Sequence, residues 1–202
     1  CFKGSLNSTI GSRSVNVDLQ ANDNQEKWSI KCTNAGALLR GLDMYNSMRA
    51  GNLTLDMVTS RKEIKPGYII PIHQGNFVFD RFVLHNAKML TRLVSLISLP
   101  GLLDLMTGKS DITFQKMSGN FSFRNGVLSV EDSYASGPYF DFSLKGVIDT
   151  KSKMMDINGH VNPKLDGVGS VIGSIPIISR LFIGDKKHQG LVSKSYRLHE
   201  KY

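Results

Sequence analysis

Alternation of apolar and polar residues is the main pattern along this chain, and it predicts β-strands. Two alternating runs, residues 15–19 and 28–32, flank the turn-forming residues 21–24. Successive side chains of a strand point to opposite faces of a sheet, so this region is predicted to be a hairpin with one apolar face and one polar face.

The next two predicted strands are residues 52–58 and 76–84. A loop broken by Pro66-Gly67 and by Pro71 is expected between them, because proline interrupts the hydrogen-bond ladder of a sheet. The apolar side of the second strand is predicted to carry Phe77, Phe79 and Val83.

The strongest β pattern covers residues 112–162. Asn125-Gly126 stands between two alternating runs, which is the signature of a tight hairpin. Further alternating runs follow, so we predict an antiparallel meander in this region with one apolar face. A last alternating strand is expected over residues 190–198, with Leu191, Tyr196 and Leu198 as its apolar members. The candidate functional residues of the apolar face are Phe121, Phe123, Leu128, Val130, Phe140, Phe142, Leu144, Ile148 and Ile157.

Three segments change to helical periodicity. Thr33 or Asn34 is expected to cap a short helix that carries Leu38, Leu42 and Tyr45 and ends near Gly51. Residues 87–106 predict a second amphipathic helix with a short continuation. Residues 166–182 predict a third, broken near a proline, and the charged residues within this stretch argue against a transmembrane helix.

These elements predict an α+β fold that is mainly β. The expected architecture is one domain over residues 1–202, a curved antiparallel meander sheet with one apolar face and about three short amphipathic helices packed at its end or face. The start of the chain has neither an initiator methionine nor the pattern of a signal peptide, so the chain is interpreted as a fragment of a longer protein.

Composition and charge narrow the possible functions. The formal net charge is +8, but the basic residues are spread along the chain, and neither a recognition helix nor an arginine-rich arm is found. Nucleic acid is therefore not an expected partner. The two cysteines, Cys1 and Cys32, permit at most one disulfide, and a role as small core residues is equally open.

Residues that would support catalysis or cofactor binding are not found at useful spacings. Gly101 and Gly108-Lys109-Ser110 resemble a phosphate-binding loop with two residues too many, and residues 167–173 resemble a dinucleotide fingerprint outside any βαβ unit. The five histidines lack metal-binding or nucleophile-activating spacings. We therefore expect no enzyme, no cofactor and no metal.

Several segments in order are similar to the C-terminal region of the bacterial AsmA-like family, which includes the AsmA, TamB and YhdP relatives. The resemblance extends from residue 34 to the end of the chain. The segments that carry it are residues 34–42, 48–53, 93–104, 121–128, 135–138, 145–149 and 175–178. It implies that residues 1–33 are the end of a preceding β-repeat.

The resemblance also implies a function. Proteins of this family are thought to be anchored in the inner membrane and to extend a β-sheet groove across the periplasm for phospholipid moving toward the outer membrane. The implied partners are phospholipid acyl chains, a membrane reached through segments outside this chain, and an envelope protein. A sheet with one apolar face suits that role, because it shelters acyl chains without any catalytic group.

Two alternatives stay open for the apolar face. Most aromatic and aliphatic stripes are core, so the domain's own helices are one expected cover for these side chains. Acyl chains are the other. A different class of function is a protein-interaction or assembly module that regulates outer-membrane biogenesis without transferring lipid.

Overall fold

The computed structural model describes residues 2–10, 13–23, 25–85, 111–138, 140–164 and 194–201. The described residues form a ten-stranded antiparallel sheet whose strands follow one another in chain order, which is a meander. The mainly β character of the fold is thus confirmed. The strands are β1 (Phe2–Ile10), β2 (Arg13–Ala21), β3 (Gln25–Cys32), β4 (Met48–Lys65), β5 (Tyr68–His85), β6 (Asp111–Arg124), β7 (Val127–Ser136), β8 (Phe140–Asp149), β9 (Met154–Pro163) and β10 (Lys194–Lys201).

The connections differ between the two ends of the sheet. At one end, called the tight-turn end, the chain reverses through short links at residues 22–24, 66–67, 125–126 and 150–153. The opposite end, called the long-connection end, has three much longer links between β3 and β4, β5 and β6, and β9 and β10. The predicted Asn125-Gly126 turn is confirmed, since both residues have positive φ and Arg124 pairs with Val127.

Strand register separates an apolar face from a polar face. Directly paired residues lie on the same face, and one continuous line of pairs crosses eight strands. That line consists of Val15, Cys32, Leu53, Phe79, Met117, Ala135, Phe142 and Val161. On the other face Ser143 pairs with His160, and Lys145 pairs with Asn158. The predicted alternation therefore holds across the meander.

The helix α1 (Ala35–Gly41) is shorter than expected. Asn34 is its N-cap, as predicted, and its side-chain Oδ1 accepts the Ala37 N–H at 2.9 Å. The helix ends at Gly41 rather than near Gly51, because Asp43 takes a positive φ and β4 begins at Met48. Tyr45 is therefore not helical. The helix lies against β4, and Ala35 is fully buried.

The predicted loop between β4 and β5 is wrong except at Pro66-Gly67. The ladder continues to the pair Lys65 and Tyr68, and Pro71 lies inside β5 opposite Arg61. Pro71 is tolerated because β6 pairs with β5 only from His73 onward, so the missing N–H of Pro71 interrupts no ladder on that side.

One predicted side-chain orientation is also wrong. Arg81 has a positive φ, opposite Gly51, whose φ is positive as well, and this irregularity interrupts the alternation of β5. Phe82 joins Phe79 on the apolar face, with ring centroids 6.1 Å apart, whereas Val83 is not part of the core cluster.

Strands β1 and β10 are the first and last in the sheet order. Strand β1 was not predicted, and β10 is confirmed with Tyr196 and Leu198 buried. The predicted helices at 87–106 and 166–182 lie outside the described residues. The same holds for the two segments that resemble nucleotide-binding motifs, for Leu191 and for Cys1. Within the described ranges α1 is the one helix, and no helix there is long and apolar enough to span a membrane.

Candidate functional site

The nine candidate residues all lie on the apolar face, but their burial differs. Phe121 pairs with Val130, and the line Phe123, Leu128 and Ile148 runs beside them. Buried members are Val130, Phe140, Phe142 and Ile157. Half-buried members are Phe121, Phe123, Leu128, Leu144 and Ile148.

Many of the buried residues lie toward the long-connection end around five phenylalanines, of which Phe79 is half-buried. This aromatic cluster consists of Phe79, Phe82, Phe114, Phe140 and Phe142. The rings of Phe82 and Phe114 stack with centroids 5.3 Å apart, and Phe114 meets Phe142 edge to face at 5.6 Å. These are favourable aromatic geometries, and they make this region the core of the domain. Sequence patterning did not single out Phe82 or Phe114.

Four of the five half-buried members lie toward the tight-turn end, where Val130 and Met155 beside them are buried. This half-buried patch consists of Phe121, Phe123, Leu128 and Ile148. His73 borders it, with its ring centroid 6.0 Å from that of Phe123, and its Nδ1 lies 2.9 Å from the Oγ1 of buried Thr59. The patch is therefore an apolar surface with one polar pair at its margin. His73 was not predicted as a site residue. The sequence predicted a loop at this position, so His73 was assigned to neither face of a strand.

Glycines mark points where neighbouring strands leave no room on the apolar face. A Cβ added to Gly75 would lie 2.1 Å from the Asp56 carbonyl oxygen, and one on Gly159 would lie 1.8 Å from the Ser143 carbonyl oxygen. The apolar face therefore accepts no side chain at these points. Tyr196 lies directly opposite Gly159, and its hydroxyl donates to the Ser143 carbonyl at 2.7 Å. Burial raises the pKa of Tyr196, so this phenol stays a donor.

The polar face contains an ionic cluster near the long-connection end. Lys164 Nζ lies 2.7 Å from Asp141 Oδ1 and donates to Ser136 Oγ at 2.9 Å. Burial opposes ionisation of Asp141, but hydrogen bonds from Lys164, Tyr134 and Ser136 lower its pKa below the ordinary value. The hydrogen bond with Asp141 raises the pKa of Tyr134 to about 12. This cluster ties β7, β8 and the end of β9 together.

Two open cavities have mainly polar-face residues in their lining. One has Asp18, Lys27 and Asp56 among its lining residues, and the other includes Gln74, Glu131 and Phe121 of the half-buried patch. The first cavity therefore carries charges of both signs.

In the part of the chain that the structure describes, no group of three or more His, Cys, Asp or Glu side chains is placed to hold a metal. Ser195 Oγ lies 3.1 Å from His160 Nδ1, but within the described ranges no carboxylate pairs with His160. A nucleophile and base of the triad type need that third group for orientation. Cys32 is a buried free thiol that accepts the Asn34 N–H at 3.4 Å.

Comparison with known proteins gives no relative for this chain. No protein-family model, no curated protein and no solved structure matches it. The resemblance to the AsmA-like family therefore stays a prediction that rests on the sequence segments quoted above.

Proposed function

We propose that this chain is a non-catalytic module of bacterial envelope biogenesis, of the AsmA-like kind, that binds or conducts phospholipid between the inner and outer membranes. The observation that carries the proposal is the apolar face that runs through successive strands of the sheet and is only half buried at the tight-turn end. Acyl chains are the ligand that such a surface suits, since they need contact and desolvation rather than directed hydrogen bonds.

The two ends of the face take different parts in this proposal. The rings of the aromatic cluster pack against one another, so we assign this cluster the role of a rigid core that supports the sheet. The half-buried patch retains accessible apolar surface, and we assign acyl-chain contact to Phe121, Phe123 and Leu128 first. Contact at the buried members, such as Phe142, requires displacement of the packing around them and is secondary.

Curvature of the sheet toward the apolar face is part of the proposal. A Cβ points from its strand toward one face of the sheet. At Gly75 and Gly159 an added Cβ would lie only 2.1 Å and 1.8 Å from a backbone oxygen of the adjacent strand. This overlap supports a neighbouring strand that rises toward the apolar side. A face that is concave in this way encloses more of an acyl chain than a flat one.

The cellular setting follows from the resemblance rather than from the fold. We propose a periplasmic location, as part of a longer protein anchored in the inner membrane. The implied partners are phospholipid acyl chains, a membrane contacted through other segments and an envelope protein. No reaction, cofactor or metal enters this function.

Binding of a phospholipid with a fluorescent acyl chain tests the proposal. We expect the double variant Phe123→Gln with Leu128→Gln to weaken binding about tenfold, because both changes place polar groups in the apolar contact. The control is Val127→Gln with Val147→Gln, two exposed residues, which should bind like the unaltered chain. Equal binding by both double variants would overturn the assignment to the half-buried patch.

An assembly module is the second candidate, and exposed apolar residues of β1 favour it. Strand β1 pairs with β2, and its Phe2 and Leu6 are exposed. Exposed apolar side chains of this kind are suited to contact with another protein. Crosslinking from Leu6 to a protein, combined with unchanged lipid binding in the patch variants, would favour this candidate.

A further inference from the structure

The hairpin of β4 and β5 extends beyond both neighbouring strands at the tight-turn end. β3 pairs with β4 only as far as Ser60, and β6 pairs with β5 only from His73. Residues 61–72, here called the hairpin tip, pair with each other across a turn at Pro66-Gly67. With a rise of about 3.3 Å per residue, each five-residue arm is about 16 Å long beyond its last pair with β3 or β6.

Three apolar side chains are exposed around the turn of the hairpin tip. Ile64, Tyr68 and Ile69 are 47%, 57% and 58% exposed, whereas Ile70 beside them is buried. The three exposed residues lie within six residues of one another around the turn and are not members of the hydrophobic core cluster. Exposed apolar groups in such a cluster mark a contact surface. Isoleucine and tyrosine together are suited to the boundary between lipid headgroups and acyl chains, because the tyrosine hydroxyl stays hydrated.

The charges around these side chains favour an anionic surface. Exposed Lys62 and Lys65 flank Ile64, and long lysine side chains place their ammonium groups in water above buried apolar neighbours. The acidic residue of the hairpin tip, Glu63, is turned onto the backbone, where its Oε1 accepts the Gly67 N–H at 2.8 Å. The adjacent turns at the same end carry both signs of charge, with basic Arg124 and Lys151 and acidic Asp23 and Asp149, so the basic excess lies at the hairpin tip itself.

We propose that the hairpin tip docks this protein onto an anionic phospholipid bilayer. Ile64, Tyr68 and Ile69 enter the interface between headgroups and acyl chains, and Lys62 and Lys65 contact the phosphates. A strand connection that faces only water is usually polar. Exposed apolar residues flanked by basic ones, as at the hairpin tip, are instead typical of an interfacial membrane anchor.

This docking goes beyond the proposed lipid binding and does not depend on it. The two are related by position, since His73 follows the hairpin tip directly and contacts Phe123 of the half-buried patch. Docking at the hairpin tip therefore brings the half-buried patch toward the bilayer. Only this orienting role rests on the proposed function.

Vesicle flotation of the full chain tests the docking. The probes are vesicles of phosphatidylethanolamine with phosphatidylglycerol and vesicles of phosphatidylcholine alone. We expect binding to the anionic vesicles, weakened about tenfold by the triple variant Ile64→Ser, Tyr68→Ser and Ile69→Ser and severalfold by Lys62→Glu with Lys65→Glu. Raised salt should weaken the binding of the unaltered chain.

Matched controls separate docking at the hairpin tip from nonspecific adsorption to vesicles. Leu42 and Met44 are 59% and 63% exposed but lie at the long-connection end, so Leu42→Ser with Met44→Ser should leave vesicle binding unchanged. Lys116→Glu with Lys145→Glu is the charge control on exposed strand positions. The fluorescence of Trp28 and thermal unfolding report that each variant is folded.

The outcomes distinguish this inference from the proposed function. Full vesicle binding by the folded hairpin-tip variants, or equal loss in the controls, would overturn the docking inference. Loss of fluorescent phospholipid binding in the patch variants with vesicle binding intact would leave the docking standing. Unaltered phospholipid binding in the hairpin-tip variants is expected, because these substitutions lie outside the half-buried patch.

Discussion

The two ends of the apolar face differ although the same alternation of side chains builds both. At the long-connection end Phe82, Phe114 and Phe140 are almost fully buried and pack ring against ring. At the tight-turn end Phe121 and Phe123 lie in the same strand ladder but keep part of their surface exposed. Among the described residues, α1 packs against β4 at the first end, whereas short turns join the strands at the second.

An alternating strand specifies which face a side chain occupies, but not what covers that face. The face follows from the period of two, which is local. The cover depends on distant segments, such as α1 against β4, whose Ala35 is fully buried. A domain that uses one part of its sheet as core and leaves another part accessible therefore separates the region that contributes most to stability from the region that we propose for ligand contact.

Truncation of one phenylalanine at each end should give the largest contrast. Phe114→Ala removes a fully buried ring and should lower the free energy of unfolding by about 3–5 kcal/mol. Phe123→Ala should cost about 1 kcal/mol, since its half-buried ring loses less contact. Urea unfolding followed by Trp28 fluorescence measures both. If Phe114→Ala does not fold, we expect Phe114→Leu to lower the free energy of unfolding by more than Phe123→Leu, with smaller losses for both. Equal losses at the two positions would contradict the division of the apolar face.

A methyl group on the apolar face at Gly159 should have the next largest effect. Its Cβ would overlap the Ser143 carbonyl oxygen, so Gly159→Ala requires a shift of β8 against β9 and should cost about 1–3 kcal/mol. Gly41→Ala is the matched control. Nothing lies within 4 Å of a Cβ at Gly41, in α1, so this change should be neutral or stabilising. A harmless Gly159→Ala in thermal unfolding would remove the support for a curved sheet.

The ionic cluster on the polar face should give the smallest effect, and it depends on pH. The pKa of Asp141 is lowered in the fold, so its contribution to stability is present above the unfolded carboxyl pKa of about 3.9 and is lost as pH falls through the folded value. Asp141→Asn should cost about 1 kcal/mol at pH 7, with the difference shrinking in acid. Exposed Asp56→Asn is the control. A difference that is constant from pH 7 to pH 2 would contradict this role for Asp141.

Sequence patterning predicted the parts of the fold that depend on local signals. The Asn125-Gly126 turn has the positive φ values that this pair favours, and the Asn34 cap forms the expected hydrogen bond. The face of every candidate site residue was also predictable, since it depends only on alternation within each strand.

Other features depend on tertiary context and were not predictable in this way. The irregularity at Arg81 moves Phe82 onto the apolar face and Val83 off it, and no local motif announces it. Pro71 is acceptable in β5 only because the neighbouring strand stops short of it. The division of the candidate site into a buried cluster and a half-buried patch depends on the connections, which alternation does not encode.

Photo-crosslinking at Phe123 and Phe142 distinguishes an accessible patch from a closed core on the same face of the sheet. A benzophenone amino acid at Phe123 samples the half-buried patch, and the same residue at Phe142 samples the aromatic cluster on the same face. With phospholipid vesicles present, we predict lipid adducts from position 123 and few or none from position 142. Absence of adducts at position 123 in a folded protein, or equal yields at the two positions, would contradict the account.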